Sequence, residues 1–478
     1  MSRNKLSRRL LMLSAALTLA MSQTAFAGET VELNLQEAME RAFNTNPAIN
    51  IAGYNVKSAK ASLDAARSSH LLSITAQHQS QRGGPDDERL QQKYNPVDNK
   101  FEPVMTKGIG NQHSNSLTAS LPIYTGGEIR GTVRRAKANY NSVLEGKQKA
   151  YNDMRATVTN GYCDLLQAGN MQQLGRESVQ RLEDHLKNVQ AQYEVGVVAK
   201  VDVLRSQVEL SNAKQSLIQA ENAYQVAEAN LNRIVGLPMD TTLKLDNILT
   251  YSEYAEDMAY CLDYASQYRP ELEQARQGVE AAKGALMVAR SGYMPKIAAS
   301  ASQNWSDTNW PGDENGEWGV GVSVSMNVFD SGVTWSKING AKADLAVAEE
   351  TYRDTVDAVN LDVRNCYLNL REAEKRIGTT ETAVSQAEED YRIAQVRYMA
   401  GVGTNTDVLD AQVALTQAKT NYLQAMYDYN TSKTDLENAM GVPMMFPTKV
   451  TVEPQKEALA KAEAEVNKTA EAEEQAAE

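Results

Sequence analysis

Residues 121–238 of this 478-residue chain recur, without a gap, as residues 326–443. Leu121-Pro-Ile-Tyr-Thr-Gly-Gly127 aligns with Met326-Asn-Val-Phe-Asp-Ser-Gly332, and Ala136-Lys-Ala138 with Ala341-Lys-Ala343. Tyr193-Glu-Val-Gly-Val197 aligns with Tyr398-Met-Ala-Gly-Val402, and Leu231-Asn-Arg-Ile-Val-Gly-Leu-Pro238 with Leu436-Glu-Asn-Ala-Met-Gly-Val-Pro443. All these pairs are 205 residues apart. Upstream the offset is 223: Pro47 matches Pro270, Ala59-Lys60 matches Ala282-Lys283, and Ala66-Arg67-Ser68 matches Ala289-Arg290-Ser291. The first copy therefore holds 18 extra residues between about 75 and 120, around Gly83-Gly84-Pro85-Asp86-Asp87, which reads as an exposed loop insertion. A period this long excludes a solenoid of short repeats. Length alone suggests two or three domains; the duplication replaces them with two intertwined copies of one large unit, residues 28–243 and 244–450.

Each unit reads helix, strand, loop, strand, very long helix, helix. Trp318, Val320, Val322, Val324, Met326 and Val328 alternate with Gly319, Gly321, Ser323, Ser325 and Asn327. The first unit repeats this with Leu117, Ala119, Leu121 and Ile123 against Ser116, Thr118, Ser120 and Pro122. This period of two predicts strands over about 70–82, 113–124, 293–307 and 317–329. Eleven residues at ~3.3 Å each, tilted near 45°, span roughly 25 Å, the height of an outer-membrane barrel wall. All four Trp (305, 310, 318, 335) fall in this region, as interfacial aromatics would.

The helices are of another kind. Glu128 to Glu194 and Trp335 to Met399 contain no proline, and at ~1.5 Å per residue each could run about 100 Å. Their partners carry heptads. Val203, Leu210, Leu217, Tyr224 and Leu231 lie beside Ser206, Ala213, Ala220, Ala227 and Ile234. Val408, Leu415, Tyr422, Tyr429 and Leu436 lie beside Ala411, Ala418, Ala425, Ser432 and Ala439. A large row next to a mainly small row lets helices approach closely.

Composition narrows the chemistry. With 48 Lys+Arg against 61 Asp+Glu, the chain is too acidic to favour nucleic acid. Four His and three scattered Cys (163, 261, 366) give no metal set, no cofactor motif and no C-x-x-C; buried free thiols are expected. No G-x-S-x-G, H-E-x-x-H or P-loop is present, so the chain does not read as an enzyme. Mean hydropathy is −0.48, and no run is long enough for a transmembrane helix. Arg3, Lys5, Arg8 and Arg9, then the apolar Leu10 to Met21, then Ala25-Phe26-Ala27, mark residues 1–27 as a secretory signal peptide. Its removal leaves 44 basic against 61 acidic residues, and Gly28 rather than a lipid-bearing Cys at the new start. The Ala/Glu-rich residues 451–478 read as an acidic solvated tail.

Four membrane-length strands cannot close a barrel, and open edges are not tolerated in lipid. If these strands span a membrane, several chains must share one barrel, which the helices would extend as a tube. The duplicated layout and the tips Tyr193-x-x-Gly-x-x-x-x-x-Asp-Val-Leu and Tyr398-x-x-Gly-x-x-x-x-x-Asp-Val-Leu-Asp resemble the TolC-like outer membrane efflux protein family over about 31–450. The resemblance implies an α+β membrane protein: a homotrimer whose 12-stranded β-barrel, four strands per chain, continues into a long α-helical coiled-coil barrel in the periplasm. It implies a passive export duct in the outer membrane, for small molecules or secreted polypeptides, docked onto a periplasmic adaptor and an inner-membrane transporter. It places Asp407 and Asp410 in an acidic ring at the periplasmic entrance, and Asp202 with Tyr398 as a latch between neighbouring coiled coils. Gly196, Val197, Gly401, Val402 and Gly403 become the adaptor-docking tips. The family's tip arginine is absent, its position being Gly403, and Arg205, the repeat partner of Asp410, is expected to pair with a nearby acid. The competing reading is a structural or adaptor-type periplasmic coiled coil with a small β domain and no pore.

Overall fold

The computed structural model describes residues 30–82, 88–95, 97–107 and 111–442. The expected signal peptide (1–27), the loop residues 83–87 and the expected acidic tail (451–478) lie outside the described residues. The chain enters through β1 (Thr30–Leu33), α1 (Leu35–Thr45) and α2 (Pro47–Ser68). Asn34 caps α1 in a reciprocal box with Glu37, and Pro47 opens α2, where its missing N–H costs nothing. Then come β2 (Ser73–Arg82), β3 (Glu88–Asn95), β4 (Lys100–Lys107) and β5 (Asn111–Tyr124). The 67-residue α3 (Glu128–Glu194) and 36-residue α4 (Lys200–Val235) follow. The second half runs β6 (Thr242–Leu245), α5 (Met258–Tyr268), α6 (Pro270–Arg290), β7 (Lys296–Asp307) and β8 (Glu317–Ser325). It ends in the 67-residue α7 (Val333–Met399) and 35-residue α8 (Asn405–Ala439). At ~1.5 Å per residue α3 and α7 are each about 100 Å long.

One antiparallel sheet has the order β2-β5-β7-β8, leaving β2 and β8 as its edges. Register separates its faces. Ile74, Ala76, Leu117, Ala119, Leu121, Ala299, Ala301, Val320 and Val322 share one face, because Ala119 pairs with Ile74 and Ala301, and Ala301 with Val320. The other face is small and polar: Thr75, Gln77, Ser116, Thr118, Ser300, Ser302, Gly319 and Gly321. The apolar face is bare in the single chain: Ile74 is 65% exposed, Val320 75% and Trp318 78%. A soluble sheet would cover such a face. Trp305 and Trp318 lie toward one end of it and Trp335 opens α7 beyond the other, so aromatics flank the apolar band.

The strands differ from expectation at their ends. The alternating run predicted through 329 pairs only to Ser325, opposite Lys296, because β7 begins there and offers no partner further on. Asp330 instead turns the chain into α7, accepting from the amides of Gly332 (3.1 Å) and Thr334 (2.8 Å). The insertion read as a loop contains an antiparallel hairpin, β3–β4, with Tyr94 opposite Phe101 and their rings 5.3 Å apart. Charged and polar residues on these strands hide the alternation. A parallel ladder of β1 on β6 was also not foreseen; four-residue strands more than 200 residues apart leave no periodic signal.

The core sits where α1, α3, α4 and this ladder meet, around Leu33, Ala42, Val158, Leu165, Leu231 and Val235. Tyr162 is fully buried there, and its hydroxyl receives the Asp246 amide (2.8 Å) and reaches the Leu33 carbonyl (3.1 Å). The three cysteines are free, Cys163 and Cys261 buried and Cys366 half-buried. Along the long pairs, α4 packs on α3, whereas α8 packs on both α7 and α3.

Candidate functional site at the helix tips

Each helix pair reverses at a glycine in the left-handed region, Gly196 (φ +75°) and Gly401 (φ +74°). A Cβ at either would meet nothing within 4 Å, so backbone conformation, not space, calls for glycine. The Gly196 amide donates to the Tyr193 carbonyl (2.9 Å) and the Val197 amide to that of Gln192 (2.9 Å). In the second tip the amides of Val402 and Gly403 both donate to the Arg397 carbonyl (3.0 Å each). Gly403 is glycine for another reason: a Cβ would lie 3.0 Å from the Tyr398 nitrogen and 3.1 Å from the Arg397 carbonyl carbon. The arginine expected there from the family resemblance would have to displace this turn. Val197 and Val402 project into solvent, 69% and 68% exposed.

Asp407 and Asp410 lie on one exposed side of α8, in a groove of about 400 Å³ shared with Asp390 and Arg397 of α7. Asp407 closes a capping box: the Thr404 amide donates to its carboxylate (2.9 Å) while its own amide donates to the Thr404 hydroxyl (3.1 Å). Thr404, and behind it the Arg397 guanidinium, hold the Asp407 carboxyl below the ordinary aspartate range. Asp410 also borders a groove between α4 and α8 lined by Val201, Leu204, Arg205, Val208 and Val413. Arg205, expected to meet an acid, donates to the Thr406 hydroxyl instead (3.0 Å).

Tyr398 is buried against Val189, Ala394, Val408 and Ala411, with its ring 5.3 Å from that of His185. Among the described residues its hydroxyl has no hydrogen-bond partner. Burial first, and the nearby Asp202 carboxylate second, push its pKa up. Asp202 and Tyr398 are thus close in one chain without a bond between them.

Besides the Arg205–Thr406 bond, a buried set of bonds crosses the tip, and it comes from a residue the sequence did not single out. Asn405, 3% exposed, donates its amide to the Asp202 carbonyl (3.1 Å). Its Oδ1 meets His185 Nε2 (2.7 Å) and the Ser206 hydroxyl (3.2 Å). His185 and Ser206 are 4% and 1% exposed. With the Asn405 amide nitrogen committed to a carbonyl, Oδ1 can only accept, so the neutral His185 carries its proton on Nε2. The available signal was spacing: Asn405 stands three residues before Val408, His185 four before Val189, and Ser206 within the small heptad row.

A sequence profile described as outer membrane efflux protein matches residues 38–237 and 261–442. The chain belongs to the outer membrane efflux protein family. It is 24% identical to outer membrane protein TolC of Escherichia coli (strain K12) across 60% of this chain and 62% of that one, so the match spans under two thirds of that relative. It is 24% identical to the probable efflux pump outer membrane protein TtgC of Pseudomonas putida, across 70% of each. Its fold resembles the Campylobacter jejuni CmeC outer membrane channel, with a TM-score of 0.73 at 16% identity over 85% of both chains.

Proposed function

We propose that this outer membrane efflux protein is the outer membrane channel of a tripartite export system, a passive duct gated at its periplasmic helix tips. The observation that carries the reading is the four-stranded sheet: it has one apolar face, a small polar opposite face and two unpaired edges. Joining β8 of one chain to β2 of the next removes both edges only if the ring closes, and three copies give twelve strands. The polar face then lines a lumen, and the duplicated helix pairs continue it as a tube into the periplasm. Export to that compartment is supplied by the signal peptide.

At the tube's end, threefold symmetry gathers Asp407 and Asp410 into six carboxylates, which favours cations and makes a closed mouth costly. Asp202 and the Tyr398 hydroxyl, close but unbonded within the chain, are the proposed latch between neighbouring coiled coils. The exposed turns at Gly196-Val197 and Gly401-Val402-Gly403 are the surface for a periplasmic adaptor, with an inner-membrane transporter beneath it. The cargo is small molecules or polypeptides.

The test is purification in detergent followed by electrophoresis with and without heating, and by current recording in planar bilayers. A heat-modifiable trimer with discrete conductance is expected. A water-soluble monomer without detergent would sink the proposal. Co-purification with the tagged protein identifies the adaptor and transporter.

A further inference from the structure

We propose that Asn405 and His185 form a latch that protonation releases, holding the second hairpin of each chain against the first. Every hydrogen bond of the Asn405 side chain goes to the other hairpin: to His185 on α3 and to Asp202 and Ser206 on α4. None goes to α7, its own partner. If α7–α8 is to swing away from α3–α4, these three bonds must break together. The proposal rests on the channel reading for its consequence, and on geometry alone for the latch.

The arrangement fits one proton state. Neutral His185 donates Nε2–H to Asn405 Oδ1. A second proton, on Nδ1, leaves the Nε2–H bond to Asn405 in place but puts a charge on a ring that is only 4% exposed. Its surroundings do not compensate. From α4 come the Asp202 carbonyl, which receives Asn405 and competes with Asn405 Oδ1 for the single Ser206 hydroxyl proton, and the Asp202 carboxylate, which acts on Tyr398. From α7 come the Tyr398 ring and Tyr391, and from α8 Asn405 itself, with Asp407 held in its capping box. On α3, Arg181 donates to Gln412 and Asp184 accepts from Gln180. Burial pushes the His185 pKa down, and the Asn405 bond opposes only part of that.

The sign follows. A histidine whose pKa is lowered in the latched state stabilises that state fully above its free value, about 6.5, and the contribution is lost as pH falls through the lowered one. Acid on the periplasmic side therefore favours the free tip.

The experiment records the full-length trimer in planar bilayers while the tip side is brought from pH 7.5 to 5.0. It also follows amide hydrogen exchange of residues 400–410, corrected for intrinsic rate. Open probability and exchange are expected to rise together, on the order of tenfold for each unit by which the two states' pKa values differ. His185→Gln keeps an N–H for Asn405 but does not titrate, so it should abolish the pH response; Asn405→Ala should leave the tip free at every pH. A wild-type tip whose exchange does not change overturns the latch. So does a wild-type-like response in His185→Gln, which would assign the effect to the mouth carboxylates. A tip that loosens in acid in a protein that never conducts supports the latch and sinks the channel reading.

Discussion

The two hairpin tips share a turn but not an environment. From its start to its thirtieth residue, α4 buries only Ser206, whereas α8 buries Asn405, Val408, Leu409, Ala411, Gln412 and Leu415 within its first eleven. Leu204 of α4, the repeat equivalent of Leu409, stands 50% exposed where Leu409 is 7% exposed. The cause is placement: α8 lies against both α7 and α3, while α4 has α3 on one side and an open flank on the other. The caps differ in the same sense. Thr404 and Asp407 close a capping box, but Ala199, at the position equivalent to Thr404, offers no side-chain cap. A heptad row says which side of a helix is apolar; it does not say how many neighbours that side will meet. The open flank of α4 is the surface the proposed trimer would cover.

Paired substitutions at equivalent positions test this contrast. Val408 is 1% exposed, and Val408→Asp places an uncompensated charge in the core of the tip, at a cost of about 3–5 kcal/mol. The equivalent Val203 is only partly buried, and Val203→Asp should cost roughly 1 kcal/mol. Denaturant midpoints in detergent measure both. Equal losses would mean that the two tips are packed alike in the assembled protein.

The caps should separate the tips by a smaller margin. Thr404→Ala removes one half of the box and is expected to cost about 1 kcal/mol. Ala199→Ser adds an acceptor where none exists and should stabilise α4 by up to about 1 kcal/mol. Exchange of the first-turn amides of each helix reads the two effects separately, and a silent Thr404→Ala would show that burial alone orders the second tip.

Much of this architecture was legible because it is periodic. The period-two runs around Ala119 and Val320 marked the sheet, and the proline-free stretches from Glu128 and Trp335 marked the long helices. What was missed lacks a period. The β1–β6 ladder is four residues long, and the alternation of the β3–β4 hairpin is interrupted, Gln92 standing between Leu90 and Tyr94. The tip was legible in part. Asp407 and Asp410 announce themselves as charges, and Gly401 as a turn. Asn405 does not, because its role depends on three partners, His185, Asp202 and Ser206, that converge only once two hairpins 200 residues apart are packed together. Arg397 was passed over for the same reason: its proximity to Asp407 crosses the turn, and the sequence shows only one more charge at a helix end.

The last contrast is one of acid response. The Asp407 carboxylate is held below the usual range by Thr404, with Arg397 adding to it. The box it closes therefore contributes fully above the free aspartate value, about 3.9, and the contribution is lost as pH falls through the lowered native one. The first tip has no such box, and Asp202 reaches its neighbours through its backbone carbonyl. Between pH 5 and pH 2.5, then, the amides of Thr404 and Asp407 should lose protection while those opening α4 keep theirs, and Asp407→Asn should erase that step. The effect is the smallest of the set, because the groups are solvent-exposed and screened. It is also the most selective, since it falls below the window in which His185 would act. A second tip that loosens in a single stage would mean that the box and the latch are one cooperative element; two separate stages would show that the helix start and the hairpin contact are held independently.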